Sequence, residues 1–246
     1  SRTHAAMRRT SWGPGSGTSW PRRIPGRSVR RPAQGRAAAA DADAAKPDLV
    51  EYYLALSLAR REQYKDALTH FETVLKKYPK SEKSMLSLYW KGRCQEEVEK
   101  DGAAKAAATY RTFLEKYPDN ELTPTVRLEL ARLDYTEKKY DVVIASAEEI
   151  LKTAGEKTIA PRLRTQALYL LGWAAKKKGA FQRSAEAFEK IPAIEIGEKP
   201  DYASIFQAGE ARMKLKEYEK ALQHFDLAAK KGTPELRAKA LLRRSE

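Results

Sequence analysis

Residues able to do chemistry are scarce in this chain of 246 residues. It has one cysteine, Cys94, and three histidines, His4, His70 and His224. A single cysteine excludes an internal disulfide framework and any multi-cysteine zinc or iron–sulfur site, and the histidines are too scattered for a histidine-rich metal motif. Gly155-Glu156-Lys157-Thr158 has the ending of a phosphate loop. Glu156 interrupts it and the first glycine is absent, so it reads as a linker. Gly13-Pro14-Gly15-Ser16-Gly17 is flanked by neither strand nor helix pattern and is no nucleotide loop either. The expectation is therefore no catalytic residue, no metal, no cofactor and no small-molecule substrate.

Charge divides the chain in two. Residues 1–46 hold nine arginines, one lysine and two aspartates, a balance of +8, whereas residues 47–246 hold 37 basic and 31 acidic residues, only +6. The leading segment also takes five of the 13 glycines and four of the 12 prolines, with no tyrosine or phenylalanine. Such a composition cannot bury enough apolar area to offset its ordering entropy, so residues 1–46 are expected to be disordered. Met7-Arg8-Arg9-Thr10-Ser11-Trp12 has a twin-arginine look, and Ala37 to Ala45 resembles the small-residue end of an export signal. The apolar middle of such a signal is missing. Three readings stay open for this segment: a targeting remnant, a mis-assigned or fragmentary start, or an arginine-rich arm binding phosphate backbones by counterion release. No stretch approaches the run of about 18 apolar residues that a membrane-spanning helix needs.

The elements that must position any functional surface come from a repeat. The phrase YKDALTHFETVLKK from Tyr64 returns as YEKALQHFDLAAKK from Tyr218, and intermediate copies start near Ala103, Tyr140 and Phe181, spaced by 39, 37, 41 and 37 residues. With Asp48, Met85, Pro124, Thr165 and Tyr202 taken as position one, position eight is always small: Ala55, Gly92, Ala131, Gly172 and Gly209. Position twenty reads Ala67, Ala106, Val143, Ser184 and Ala221. Position twenty-four reads Phe71, Tyr110, Ala147, Phe188 and Phe225, and position seventeen reads Tyr64, Ala103, Tyr140, Phe181 and Tyr218. A helix pair with one apolar stripe cannot cover it alone; stacked copies bury the stripes in a continuous core. Glycine inside a helix costs about 1 kcal/mol against alanine, so its recurrence at position eight implies a backbone contact that a larger side chain would block. Pro79 and Pro118 should close the second helices of the first two copies. Glu72/Lys76, Glu148/Lys152 and Asp226/Lys230 are spaced for ion pairs within a helix.

These ladders resemble the tetratricopeptide repeat, a helix-turn-helix of 34 residues. The resemblance implies an all-α, right-handed superhelix. The repeats fall at about 48–81, 85–120, 124–157, 165–197 and 202–234, within an array spanning 47–246. The helix from Glu235 either caps that array or starts a sixth repeat. The second copy carries two extra residues between Gly92 and Ala106, and Lys91 where the family prefers leucine, so an extended or irregular first helix is expected. Pro192 should end the fourth copy early.

In this family first-helix side chains line a concave groove that takes a peptide or protein partner. The resemblance therefore places Tyr52, Tyr89, Leu128, Tyr169 and Phe206 in the groove at position five, with Arg93, Arg132 and Trp173 at position nine. The rings would offer contact area to an extended segment or a helix, or would pack internally. Arg93 and Arg132, with Lys176, Lys177 and Lys214, would meet carboxylates of a ligand or be balanced by Glu96, Glu97 and Glu210. The asparagines of a chaperone-tail clamp are missing, because Asn120 is the single asparagine. His70 and His224 share one repeat position and read as structural, and Cys94 reads as a small buried residue. The phrases FETVLKKYPKS and YRTFLEKYPDN resemble a bacterial envelope subgroup, which implies a periplasmic location against a cytoplasmic alternative. Other possibilities are nucleic-acid association through the basic arm and a docking module within a longer protein.

Overall fold

The computed structural model describes residues 46–98, 101–153, 160–191 and 201–245. The segment expected to be disordered lies outside the described residues up to Ala45, as do Gly155 to Thr158 and Pro192. The described residues form eleven helices: α1 (Pro47–Arg60), α2 (Tyr64–Lys77), α3 (Ser84–Val98), α4 (Gly102–Lys116), α5 (Thr123–Thr136), α6 (Tyr140–Thr153), α7 (Pro161–Lys177), α8 (Phe181–Lys190), α9 (Tyr202–Lys214), α10 (Tyr218–Lys231) and α11 (Pro234–Arg244). Each helix packs on the next, and the first helices α1 and α3, α5 and α7, and α9 and α11 also touch directly. The array is thus five antiparallel pairs stacked in one direction, followed by α11.

The contact that holds each pair is local and recurrent. The side chains at positions twenty and twenty-four are buried in every repeat, and so is position eight. A Cβ built on Gly172 would lie 2.7 Å from Cζ of Phe188, and one on Gly209 would lie 2.7 Å from Cε1 of Phe225. On Gly92 it would collide with the ring of Tyr110. In the second, fourth and fifth pairs the close approach is therefore to an aromatic ring, not the expected backbone contact: position twenty-four lays its ring on the bare backbone of the partner helix, while the third pair has Ala147 there and no ring. The first pair is then joined to the second by a ring from the second pair's first helix. Trp90 of α3 stacks on Phe71 of α2 with centroids 6.3 Å apart, and Cys94 is buried in the same cluster.

Turns between the paired helices share a device that the composition does not advertise. Glu62, Lys138, Gly179 and Lys216 all adopt positive φ, at 64°, 61°, 76° and 62°. Each lies two residues before the second helix. The residue that follows donates its N–H back to the first helix: Gln63 to Leu58 O, Lys139 to Asp134 O, Ala180 to Ala175 O and Glu217 to Arg212 O, at 2.9–3.0 Å. This is the six-to-one bond of a left-handed helix C-cap, a place where glycine is the least strained residue. Three of the four positions nevertheless carry long side chains.

Several expectations change in detail. Glu72, Glu148 and Asp226 do not pair four residues along their own helices. They reach Lys91 at 2.9 Å, Arg183 at 3.8 Å and Arg244 at 3.0 Å on neighbouring helices, because stacking brings those cations closer than the next turn. Lys91, the departure from the family's leucine, is accounted for by that bridge. The second copy's first helix is extended to Val98, and α8 is short, with 10 residues. The last helix starts at Pro234 and not Glu235; Thr233 Oγ1 caps it by accepting from Leu236 N at 3.3 Å. Between the fourth and fifth pairs the buried Arg212 donates to both oxygens of Glu189, each at 2.8 Å, and to Glu217 at 2.7 Å. Those hydrogen bonds hold both carboxyls below the ordinary glutamate value.

Two predictions follow from these contacts. Gly209→Ala should lower stability by about 1–3 kcal/mol through overpacking, in spite of its gain in helix propensity. In a Phe225→Leu background the same change should be neutral or stabilising; urea titrations of the four proteins measure the cycle. At the turns, Lys216→Gly should raise the thermal midpoint, and Gly179→Ala should lower stability by about 1 kcal/mol, both read by circular dichroism.

Candidate functional site

The first helices place positions six, nine and twelve of successive repeats side by side, which fixes the polar chemistry of one face. Between the second and third repeats that chemistry is closed on itself. Arg93 Nη1 donates to Glu129 Oε1 at 2.7 Å, and Arg132 Nε donates to Glu129 Oε2 at 3.0 Å. Arg132 also bonds Glu96, whose other oxygen accepts from the Tyr110 hydroxyl at 2.8 Å. Two guanidinium groups and two carboxylates thus neutralise one another across α3 and α5. The neighbouring carboxylates hold both arginines protonated against the cost of their burial. Tyr89 lies beneath this network, and burial pushes its phenol up to about 12.

The equivalent positions between the fourth and fifth repeats carry different residues. Trp173 stands in place of Arg93, Lys176 in place of Glu96, Gln207 in place of Glu129 and Glu210 in place of Arg132. Lys176 Nζ sits 5.4 Å from the centroid of the Trp173 ring and donates to Gln207 Oε1 at 2.8 Å. Glu210 is drawn away to Arg243 of α11, which donates to it at 2.8 Å. Burial lowers the Lys176 pKa, and Lys177, Arg243 and Lys214 lower it further against the attraction of Glu210. The network here is left open, with an excess of cations. Tyr169 follows the same logic: without an arginine at position nine, its buried hydroxyl finds no partner among the described residues, whereas Tyr89 bonds Arg93.

Position five is more deeply placed than an exposed ladder requires. Tyr52 and Leu128 are 5% exposed and Tyr89 and Phe206 8%, so these side chains form the floor of the face. Tyr52 and Phe206 meet the position twenty-four rings of Phe71 and Phe225 edge-on or tilted, at centroid distances of 6.1 and 5.5 Å. Tyr169 and Trp173 are half-buried and share contact with Phe188, at 6.2 and 5.5 Å. The structure thus brings Arg93 and Arg132 together with Glu96 and Glu129, and Trp173 together with Lys176; it does not expose Tyr52, Tyr89, Leu128 or Phe206 as a free apolar surface.

Glu129, Gln207 and Arg243 are the residues that reading by repeat position passed over. Glu129 had one signal, its spacing of three from Arg132 on the same helix face; Arg243 had none before α11 was placed beside α9. Of the remaining groups, His70 Nδ1 is hydrogen-bonded to the Glu51 carboxylate at 2.6 Å and His224 Nε2 to that of Glu189 at 2.9 Å. Burial raises the Cys94 thiol to about 12. Among the described residues no group of three or more His, Cys, Asp or Glu side chains is placed to hold a metal, and no helix is long and apolar enough to cross a membrane.

Comparison with known proteins agrees with this geometry. Residues 50–81 and 86–120 match the family model described as tetratricopeptide repeat. The fold is that of a tetratricopeptide-repeat solenoid. A MamA structure, the RS-1 ArsTM double mutant, superposes with a TM-score of 0.60 at 15% identity, covering 79% of this chain and 96% of that one. MamA from Desulfovibrio magneticus RS-1, residues 41 to the end, gives 0.58 at 15% identity, with 74% and 92% covered. A putative kinesin light chain from Podosopora anserina, with nearly identical tetratricopeptide-like repeats, gives 0.56 at 16% identity, with 77% and 94% covered. These likenesses concern the fold. No curated protein sequence matches the chain.

The contrast between the two halves of the face gives a prediction. Glu129→Ala takes from Arg93 its carboxylate partner and from Arg132 one of its two, and should cost roughly 2 kcal/mol, in the range for hydrogen bonds to charged groups. Gln207→Ala, at the equivalent position, should cost less than about 1 kcal/mol; chemical denaturation of both variants measures the difference.

Proposed function

We propose that the chain is a non-catalytic scaffold that binds a peptide or protein partner along the face formed by its first helices. The observation that carries this reading is the open network around Trp173 and Lys176, where a half-buried ring and several cations have fewer protein partners than their counterparts around Arg93 and Arg132. Tetratricopeptide-repeat solenoids are in general interaction modules, which supports the same reading. A role in bacterial envelope assembly rests on the repeat phrases from Phe71 and Tyr110, with YWKG at Tyr89 and LELARLDY at Leu128, and secretion of the full chain in its native cell is the separate test of it.

Site-specific photo-crosslinking in the native cell tests the groove. A photoreactive residue at Lys177, exposed on the inner helix α7, should give a discrete protein adduct. The same group at Leu222, exposed on the second helix α10, should not. Adducts from position 222 alone, or from neither, would contradict the proposal.

A further inference from the structure

Charge along the first helices changes between the two halves of the array, and the change selects a partner chemistry. The charged residues at positions six, nine, twelve and thirteen of the second and third repeats are Arg93, Glu96, Glu97, Glu129 and Arg132. The two arginines are consumed by Glu96 and Glu129, and Glu97 is an exposed carboxylate beside them. That part of the face has nothing to offer an anion. At the same positions of the fourth and fifth repeats stand Lys176, Lys177, Glu210 and Lys214, and Arg243 of α11 joins them. Glu210, the one carboxylate of the group, is already engaged by Arg243 at 2.8 Å. Among the described residues Lys177 and Lys214 are exposed and in no ion pair, and the Lys176 ammonium has a neutral acceptor, Gln207, where its counterpart has an arginine.

We infer that the face of α7 and α9 is a docking site for an acidic peptide segment, with Lys176, Lys177 and Lys214 receiving its carboxylates and Trp173 taking an apolar side chain between them. The inference rests on the groove reading above and adds the chemistry of the partner. Its basis is charge complementarity. The cations are spaced along two adjacent inner helices, so they suit an extended chain with several carboxylates better than one small anion. Lys176 is held in place by the Trp173 ring and Gln207, so the ordering entropy of that long side chain is largely met before binding. Exposed Lys177 and Lys214 lie at the rim, where such charges govern encounter rate and salt dependence. The self-neutralised stretch around Arg93 and Arg132, with exposed Glu97 beside it, offers no cation and leaves the acidic segment confined to the C-terminal half.

The test uses the full chain and three fluorescein-labelled 14-residue peptides of one design. They carry the same leucine and phenylalanine residues, interleaved with glutamate, glutamine or lysine. Fluorescence anisotropy at 50 mM salt should show the glutamate peptide binding at least ~10-fold tighter than the glutamine peptide and weakening at 500 mM. The K177E/K214E variant, which leaves the Trp173 contact intact, should lose that preference, and K176E/K177E/K214E should favour the lysine peptide. Unchanged thermal midpoints would show that the variants are folded. Equal binding of the glutamate and glutamine peptides, unaffected by the variants, would overturn the acidic specificity and leave the groove reading standing. Binding of none of the three would overturn the inference, with the crosslinking at Lys177 deciding the groove reading separately. A single-stranded DNA of 14 nucleotides that binds through the same lysines while the glutamate peptide does not would also overturn it, in favour of a nucleic-acid partner.

Discussion

A ring lying on a bare stretch of helix is the interaction on which the rest of this structure depends. Phe188 on Gly172 and Phe225 on Gly209 bring two helices closer than ordinary side chains permit, and Phe71 and Ala55 are buried together in one cluster of the first pair. Removing a fully buried phenylalanine costs about 3–5 kcal/mol, a sizeable part of the stability of a typical domain. Each contact is made within one helix pair. The array is therefore assembled from units that are similar in shape and free to differ in what their first helices present.

That freedom explains how one scaffold carries two kinds of surface. The backbone positions of α3 and α5 are reproduced by α7 and α9, yet Arg93, Glu96, Glu129 and Arg132 become Trp173, Lys176, Gln207 and Glu210. In the first setting every charge meets its opposite, and the network acts as a polar clasp between repeats. In the second, α11 takes the available carboxylate through Arg243. Helix α11, which packs on the fifth pair, thus also sets the electrostatic character of the face beside it.

Much of the fold was legible in the sequence because its determinants recur. Small residues at positions eight and twenty and rings at twenty-four are read from types alone, and all of them are buried as that pattern requires. The left-handed turn residues were not legible, since Glu62, Lys138 and Lys216 carry no chemical mark of positive φ; only Gly179 did. The site was legible in outline. Position and residue type pointed to Arg93, Arg132 and Trp173, but partner choice depends on distance across helices, and Glu129, Gln207 and Arg243 come from other repeats. The depth of Tyr52, Tyr89 and Phe206 was hidden for the same reason. A ring at a groove position and a ring on the groove floor have the same one-letter code, and packing against Phe71 or Phe225 decides between them.

If stability resides in nearest-neighbour contacts built on these rings, a central lesion should stay local. Hydrogen–deuterium exchange of a Tyr110→Ala variant measures this most directly, because Tyr110 is fully buried, lies on Gly92 and bonds Glu96. The expected result is loss of protection in α3 and α4, a smaller loss in α2 and α5, and unchanged protection in α8 to α11. Equal loss across all eleven helices, or no loss in α3 and α4, would contradict the account.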